Sequence, residues 1–232
     1  AKPGDEITVY VDADPSQPMP KLAFSQQEGS FANWMRTVNL NAGKNVITVP
    51  DIAIDSWYNH DVTRGGSIYI INPYTPEEQK WAPVIRFESG NKYPFLTENT
   101  NVDEFKDFLI EYKKAIDEDI AKNSNVLDRE VLDVFEFVSD HIVWTGTATG
   151  AYEAYIEQGA NPLDTVNRYN NHMKELFRYY GLDGRNEQND PKFIRENVRL
   201  AQPFGYMYAY TNHIGVQGLS LIHISEPTRH WA

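Results

Sequence analysis

Residues 65–73 read Gly65-Gly66-Ser67-Ile68-Tyr69-Ile70-Ile71-Asn72-Pro73. A β-branched and aromatic centre sits between a Gly-Gly pair and an Asn-Pro pair. The centre suits a pleated surface and the flanks punctuate the chain, so the stretch predicts a strand. The segments on either side repeat the pattern. Upstream, Ile7, Val9 and Val11 alternate with Thr8 and Tyr10, the period of a half-buried strand, after a Pro3-Gly4 turn. Residues 12–20 are polar and Pro-rich, which predicts a loop, and Lys21-Leu22-Ala23-Phe24 follows as a short strand. Asn41 to Asn45 forms a turn into Val46-Ile47-Thr48-Val49, closed by Pro50. Downstream, Val84-Ile85-Arg86-Phe87 is a further strand, ended by Ser89-Gly90-Asn91. Short strands separated by turn signals predict a β-sandwich.

Near Thr97 the period changes. Asn101 and Glu104 fit a helix start, with Phe105, Phe108, Leu109, Tyr112, Ile116 and Ile120 on one face. Val131, Leu132, Phe135 and Val138 predict a second helix and Tyr152 to Ile156 a third. Val166, Tyr169, Met173, Leu176, Phe177 and Tyr180 predict a fourth, ended by Gly181, and Phe193 to Leu200 a shorter one before Pro203. Strands first and helices after predict an α+β chain. The division expected is a β-sandwich-like domain over 1–97 and the mainly helical start of a further domain over 98–218, with 219–232 set apart.

The 232 residues suffice for one large domain or two small ones, and 41% hydrophobic content marks a globular chain. A net charge of −12 with no basic run argues against nucleic acid and anionic membrane surfaces as partners. With no cysteine, neither a disulfide nor a thiolate zinc site can form. No apolar stretch is long enough to span a bilayer, so no membrane insertion is expected within the chain. The chain opens at Ala1-Lys2-Pro3-Gly4 without Met and enters a strand almost at once. The expectation is that the natural N-terminus lies upstream, with a signal sequence left open.

The sequence carries no complete catalytic or metal-binding set. Two His at i and i+4 on a helix, with an adjacent Glu, make a zinc hydrolase site. The His here are His60, His141, His172, His213, His223 and His230, and no two are four apart. His172 and Glu175 share a helix face but read as a surface pair, and Asp140-His141 is a lone acid–base neighbour. Gly146-Thr147-Ala148-Thr149-Gly150 lacks the Lys of a phosphate loop and reads as a turn and helix start. Asp12-Ala13-Asp14 and the acidic loop from Asp183 to Asp190 lack full calcium-ligand spacing. No catalytic, cofactor-binding or metal residue is assigned.

Leu219-Ser220-Leu221-Ile222-His223-Ile224-Ser225-Glu226-Pro227-Thr228-Arg229 reverse-translates residue for residue into a transposase mosaic-end adapter of sequencing libraries. The expectation is a non-native tail after about Gly218.

Several segments resemble one family. Gly65 to Pro73 resembles a Gly-Gly strand motif, followed by Pro83-Val84-Ile85-Arg86-Phe87-Glu88-Ser89-Gly90 and Tyr93-Pro94-Phe95. Near the end, Gln202-Pro203-Phe204-Gly205-Tyr206-Met207-Tyr208-Ala209 and Asn212-His213-Ile214-Gly215 resemble the stretch before a zinc helix. Together they are similar to the enhancin-like zinc metallopeptidases, metallopeptidase family sixty, over roughly Ala1 to Gly218. The resemblance implies a β-sandwich part before a helical catalytic part, and an extracellular or cell-surface setting. It further implies cleavage of mucin-like, often O-glycosylated, proteins. Zinc would be held by the two His of H-E-x-x-H and a downstream Glu, with the motif's Glu activating water. This sequence stops before that motif, so no ligand carries over, and His213 reads as a cleft-wall or packing residue. The expectation is an inactive N-terminal fragment of a zinc mucinase, with no zinc of its own. The alternative is a glycan- or protein-binding module of a bacterial surface protein, on Trp34, Trp57, Tyr58, Tyr74 and Trp81. A structural domain with no ligand is the third reading.

Overall fold

The computed structural model describes residues 2–26, 35–50, 66–74, 82–125, 128–191, 196–200, 208–209 and 214–216. They fall into two compact units. One holds Ala1–Lys92 with Asn125–Glu130, the other Tyr93–Ser124 with Val131–Ala232.

In the first unit, the strands β1 (Glu6–Asp12), β4 (Gly43–Thr48) and β6 (Val84–Phe87) form one antiparallel sheet, in the order β4-β1-β6. A second antiparallel sheet pairs β3 (Met35–Asn39) and β5 (Gly66–Ile71) on either side of β2 (Lys21–Gln26). The sequence alternation works as expected: Ile7, Val9 and Val11 are buried while Glu6 and Asp12 are exposed. Their inner faces meet Leu22, Phe24, Leu40, Ile47 and Val49 in one apolar cluster. Two sheets sharing a core are the expected sandwich. The predicted turn at Asn41 to Asn45 is clasped by the Asn45 side chain. Its amide donates to Asn41 O (2.8 Å) and its Oδ1 accepts from Asn41 N (2.8 Å). The buried amide therefore holds a turn, and Gly43 supplies the positive φ of 88° that the turn needs. Tyr74 is buried, and its hydroxyl donates to Pro18 O at 2.6 Å, tying down the Pro-rich loop.

The second unit is an α+β layer. Its sheet, among the described residues, runs β11-β12-β10-β9-β8-β7. The strands are β7 (Phe95–Leu96), β8 (Phe135–Val138), β9 (Ile142–Gly146), β10 (Glu196–Leu200), β11 (Tyr208–Ala209) and β12 (Ile214–Val216). Helix α1 (Val102–Lys122) connects β7 to its parallel neighbour β8. Helices α2 (Ala148–Tyr152) and α3 (Pro162–Tyr179), with a π-helical turn over Glu153–Glu157, connect β9 to its parallel neighbour β10. Parallel pairs need such crossovers.

Helix α1 starts where its caps predict. The Asn101 side chain accepts from Asp103 N and Glu104 N, and its amide donates to Glu104 Oε1 at 3.1 Å. Helix α3 begins at Asn161-Pro162 and ends at Gly181, whose φ of 74° lets the Leu182 N–H return to Phe177 O at 2.8 Å. Phe105, Leu109, Ile116, Val166, Met173 and Phe177 press these helices onto Phe135, Phe137, Ile142 and Trp144 of the sheet. Phe105, Phe135 and Tyr155 form a triad with ring centroids 5.9–6.0 Å apart.

Two expected helices are strands. Phe135 to Val138 pairs antiparallel with β9, while Val131 and Leu132 lie in the loop before it. Glu196 to Arg199 pairs parallel with β9, and residues 192–195 lie outside the described set. In both, neighbouring residues are buried together: Phe135, Glu136 and Phe137, and again Val198 and Arg199. A strand covered on both faces loses the period-2 signature, and its apolar run imitates a helix.

Candidate functional site

Of the segments that resemble the zinc-helix approach, the described residues Tyr208, Ala209, Ile214 and Gly215 lie at one edge of the second sheet. Tyr208 opposes Gly215 and Ala209 opposes Ile214 in an antiparallel pair, and Ile214 to Val216 runs parallel to Val198 to Leu200. Residues 202–207, Asn212 and His213 lie outside the described residues, as do His60, Trp34, Trp57, Tyr58, Trp81 and the tail 219–232.

A row of polar side chains crosses the strands inward from that edge. Arg199 opposes Thr145, and Thr145 opposes Glu136. All three are buried. The Glu136 carboxylate accepts from the Thr145 hydroxyl and the Tyr93 hydroxyl, each at 2.9 Å. Buried charge survives only with such partners. Sequence periodicity missed this row, because polar residues inside an apolar run read as helix surface. A Glu flanked by two Phe was the one available signal.

The other singled-out residues sit in structural roles. Asp140 and His141 form the β8–β9 turn. His141 O accepts from Glu196 N at 2.9 Å, and its ring stands edge-on to Phe177 at 4.8 Å. His172 and Glu175 are exposed on α3, and Glu175 pairs with Arg178 at 3.5 Å instead. Thr147 caps α2 by accepting from Gly150 N at 3.1 Å, so the Gly146 to Gly150 segment is the helix start expected, joined directly to the end of β9 rather than through a turn. Asp14 accepts from the Ser16 N–H (2.8 Å) and hydroxyl (2.7 Å), and the backbone bond first, then the hydroxyl, holds its carboxyl below the usual carboxylate range. Asp183 accepts from Arg185 N at 3.2 Å and pairs with its guanidinium at 2.6 Å. Burial pushes the Tyr112 hydroxyl above its ordinary pKa, reinforced by the Asp133 charge, and that hydroxyl donates to Leu132 O at 2.8 Å.

Among the described residues, no group of three or more His, Cys, Asp or Glu converges as metal ligands. The described residues therefore do not fit a zinc ion.

No family model matches the chain, and no curated protein does. Solved structures do. The catalytic module of the metalloprotease ZmpA from Clostridium perfringens is 32% identical with a TM-score of 0.81, over 95% of this chain. The M60 catalytic domain of ZmpC from the same organism, in complex with the sialyl T antigen, is 26% identical with a TM-score of 0.81, over 97%. The fold is M60-like. The ZmpB metallopeptidase of that organism agrees, at 26% identity and a TM-score of 0.82. The chain spans 43–44% of the length of these three, so the M60-like fold is matched over less than half of each. The sandwich and the helix-covered sheet of this chain both lie within the matched part, given the 95–97% coverage.

Proposed function

We propose that this chain is the first part of a zinc metallopeptidase catalytic domain acting on mucin-like, O-glycosylated proteins outside the cell. The observation that carries the reading is the M60-like fold across 95–97% of the chain, at 26–32% identity to metallopeptidase domains more than twice its span. One of those domains was solved with a sialylated glycan, which supports a glycoprotein substrate class. The zinc ligands and the water-activating Glu are then supplied by residues C-terminal to those matched. In the complete protein, zinc supplies a bound water of lowered pKa and polarises the scissile carbonyl. The 232-residue chain by itself is proposed to bind no stoichiometric zinc and to cleave no mucin, and residues 219–232 are proposed to be foreign to the natural protein.

Three preparations test this: the chain, residues 1–218, and the native protein extended through the domain. The expected result is zinc and glycoprotein cleavage in the extended protein alone. One tightly held zinc per 232-residue chain contradicts the proposal.

A further inference from the structure

A cavity of about 270 Å3 opens within the second unit, between the α2–π segment and α3, above strands β8 and β9. Its floor is aromatic. Phe137 and Trp144 stack with centroids 6.0 Å apart and planes 9° from parallel, and Tyr169 stands 4.8 Å from the first and 5.4 Å from the second. Gly150, Ala151, Ala154 and Ala160 give the space on one side. The wall there is the π-helical turn, where Gln158 N–H reaches Glu153 O at 2.9 Å. Such turns insert an extra residue at a cost and recur at functional sites. Here the turn sets Tyr155 into the cavity wall, where its hydroxyl meets Thr165 Oγ1 at 3.1 Å.

The mouth is charged. Asp164 and Arg168 line it, four residues apart on α3 and both exposed. That spacing ordinarily invites an ion pair, yet among the described residues the ion pairs within 4.0 Å do not include one between them. Asp164 instead accepts weakly from the Asn161 amide at 3.3 Å. One acid and one base thus stand open above a ring-lined cavity. Its volume falls just under the roughly 300–1,000 Å3 typical of drug-sized ligands, which suits about a dozen heavy atoms.

We propose that this cavity binds a free aromatic α-amino acid, with its ring against Phe137, Trp144 and Tyr169, its carboxylate on Arg168 and its ammonium on Asp164. Ring edges and faces meet the floor as aromatic pairs do. Both mouth charges are satisfied by one zwitterion, which neither a neutral ring nor a simple anion achieves. Nothing in this site depends on zinc or on peptidase activity.

The test is calorimetric titration and thermal shift of the 232-residue chain with four probes: L-phenylalanine, 3-phenylpropionate, phenethylamine and glycine. L-phenylalanine is expected to bind with a Kd of about 1 mM, the range small ligands reach. The two probes missing one charge should bind at least fivefold more weakly, and glycine not at all. Ala154→Leu fills the cavity and should weaken L-phenylalanine at least tenfold. Arg168→Gln, at the exposed rim, should weaken L-phenylalanine at least fivefold and leave phenethylamine unchanged. No saturable binding of L-phenylalanine, or equal binding of all three ring probes, overturns the proposal. So does binding by this chain that disappears in the complete domain, because the protein's own residues then fill the cavity.

Discussion

Phe105 and Phe108 lie one turn apart on α1, and the sequence places both on its apolar face. The structure separates them. Phe105 is 5% exposed and touches Phe135 and Tyr155, with ring centroids 5.9 and 6.0 Å away. Phe108 is 39% exposed and meets Tyr112 at the helix surface. Truncating a buried Phe to Ala costs about 3–5 kcal/mol, combining lost transfer energy with a residual cavity. Two aromatic pairs add to that cost, so Phe105→Ala belongs at the upper end. For Phe108→Ala, partial burial and one exposed pair limit the cost to about 1 kcal/mol. With a urea m-value of about 2 kcal/mol/M, the midpoint of the second unit's transition falls by about 2 M for Phe105→Ala and about 0.5 M for Phe108→Ala. Urea titration followed by circular dichroism and tryptophan fluorescence measures both. Equal midpoint shifts for the two variants refute the packing of α1 described here.

Other outcomes follow from the same contacts. Asn101→Ala removes the acceptor for two N–H groups at the start of α1 and should cost about 1 kcal/mol in the same titration. Gly181→Ala forces a side chain into a φ of 74° and should destabilise the chain by about 1 kcal/mol, whereas Gly181→Asn should cost less. Asp14 should titrate below the ordinary value of about 4 by NMR, and Ser16→Ala should bring it part of the way back. Its depressed pKa means that its contribution is present above the unfolded value and lost as pH falls through the folded one. Burial raises the hydroxyls of Tyr112, Tyr155 and Tyr169. These three should stay protonated in the folded chain, and stability should fall as pH rises above about 10, where only the unfolded chain ionises them. Ultraviolet difference titration with and without urea reads this directly.

The first unit was largely legible because β1 and β4 have one face on the core and one in water. Ile7, Val9 and Val11 then alternate visibly, and turn residues such as Pro3-Gly4 and Asn41 to Asn45 mark the ends. Helices α1 and α3 were legible for a similar reason: each has one apolar stripe, with Asn101 marking the start of α1 and Gly181 the end of α3, whereas the Asn161 cap was not read. The sheet of the second unit was not. Phe135-Glu136-Phe137 and Val198-Arg199 are buried on both faces, so period says nothing, and the polar members can be recognised as interior only once their cross-strand partners are known. The absence of a local zinc motif was legible at once, because H-E-x-x-H is a pattern of adjacent residues. The aromatic cavity draws on β8, β9, α2, the π-helical turn and α3, and no single segment announces it.

On the function proposed above, an M60-like catalytic domain continues past Gly218 and carries its zinc there. The most direct measurement is the native nucleotide sequence of the source locus past Gly218. The expected reading frame departs from Leu219 to Arg229 and encodes an H-E-x-x-H shortly downstream. A native frame that runs through Leu219 to Arg229, or continues for well over a hundred residues with no such motif, contradicts it.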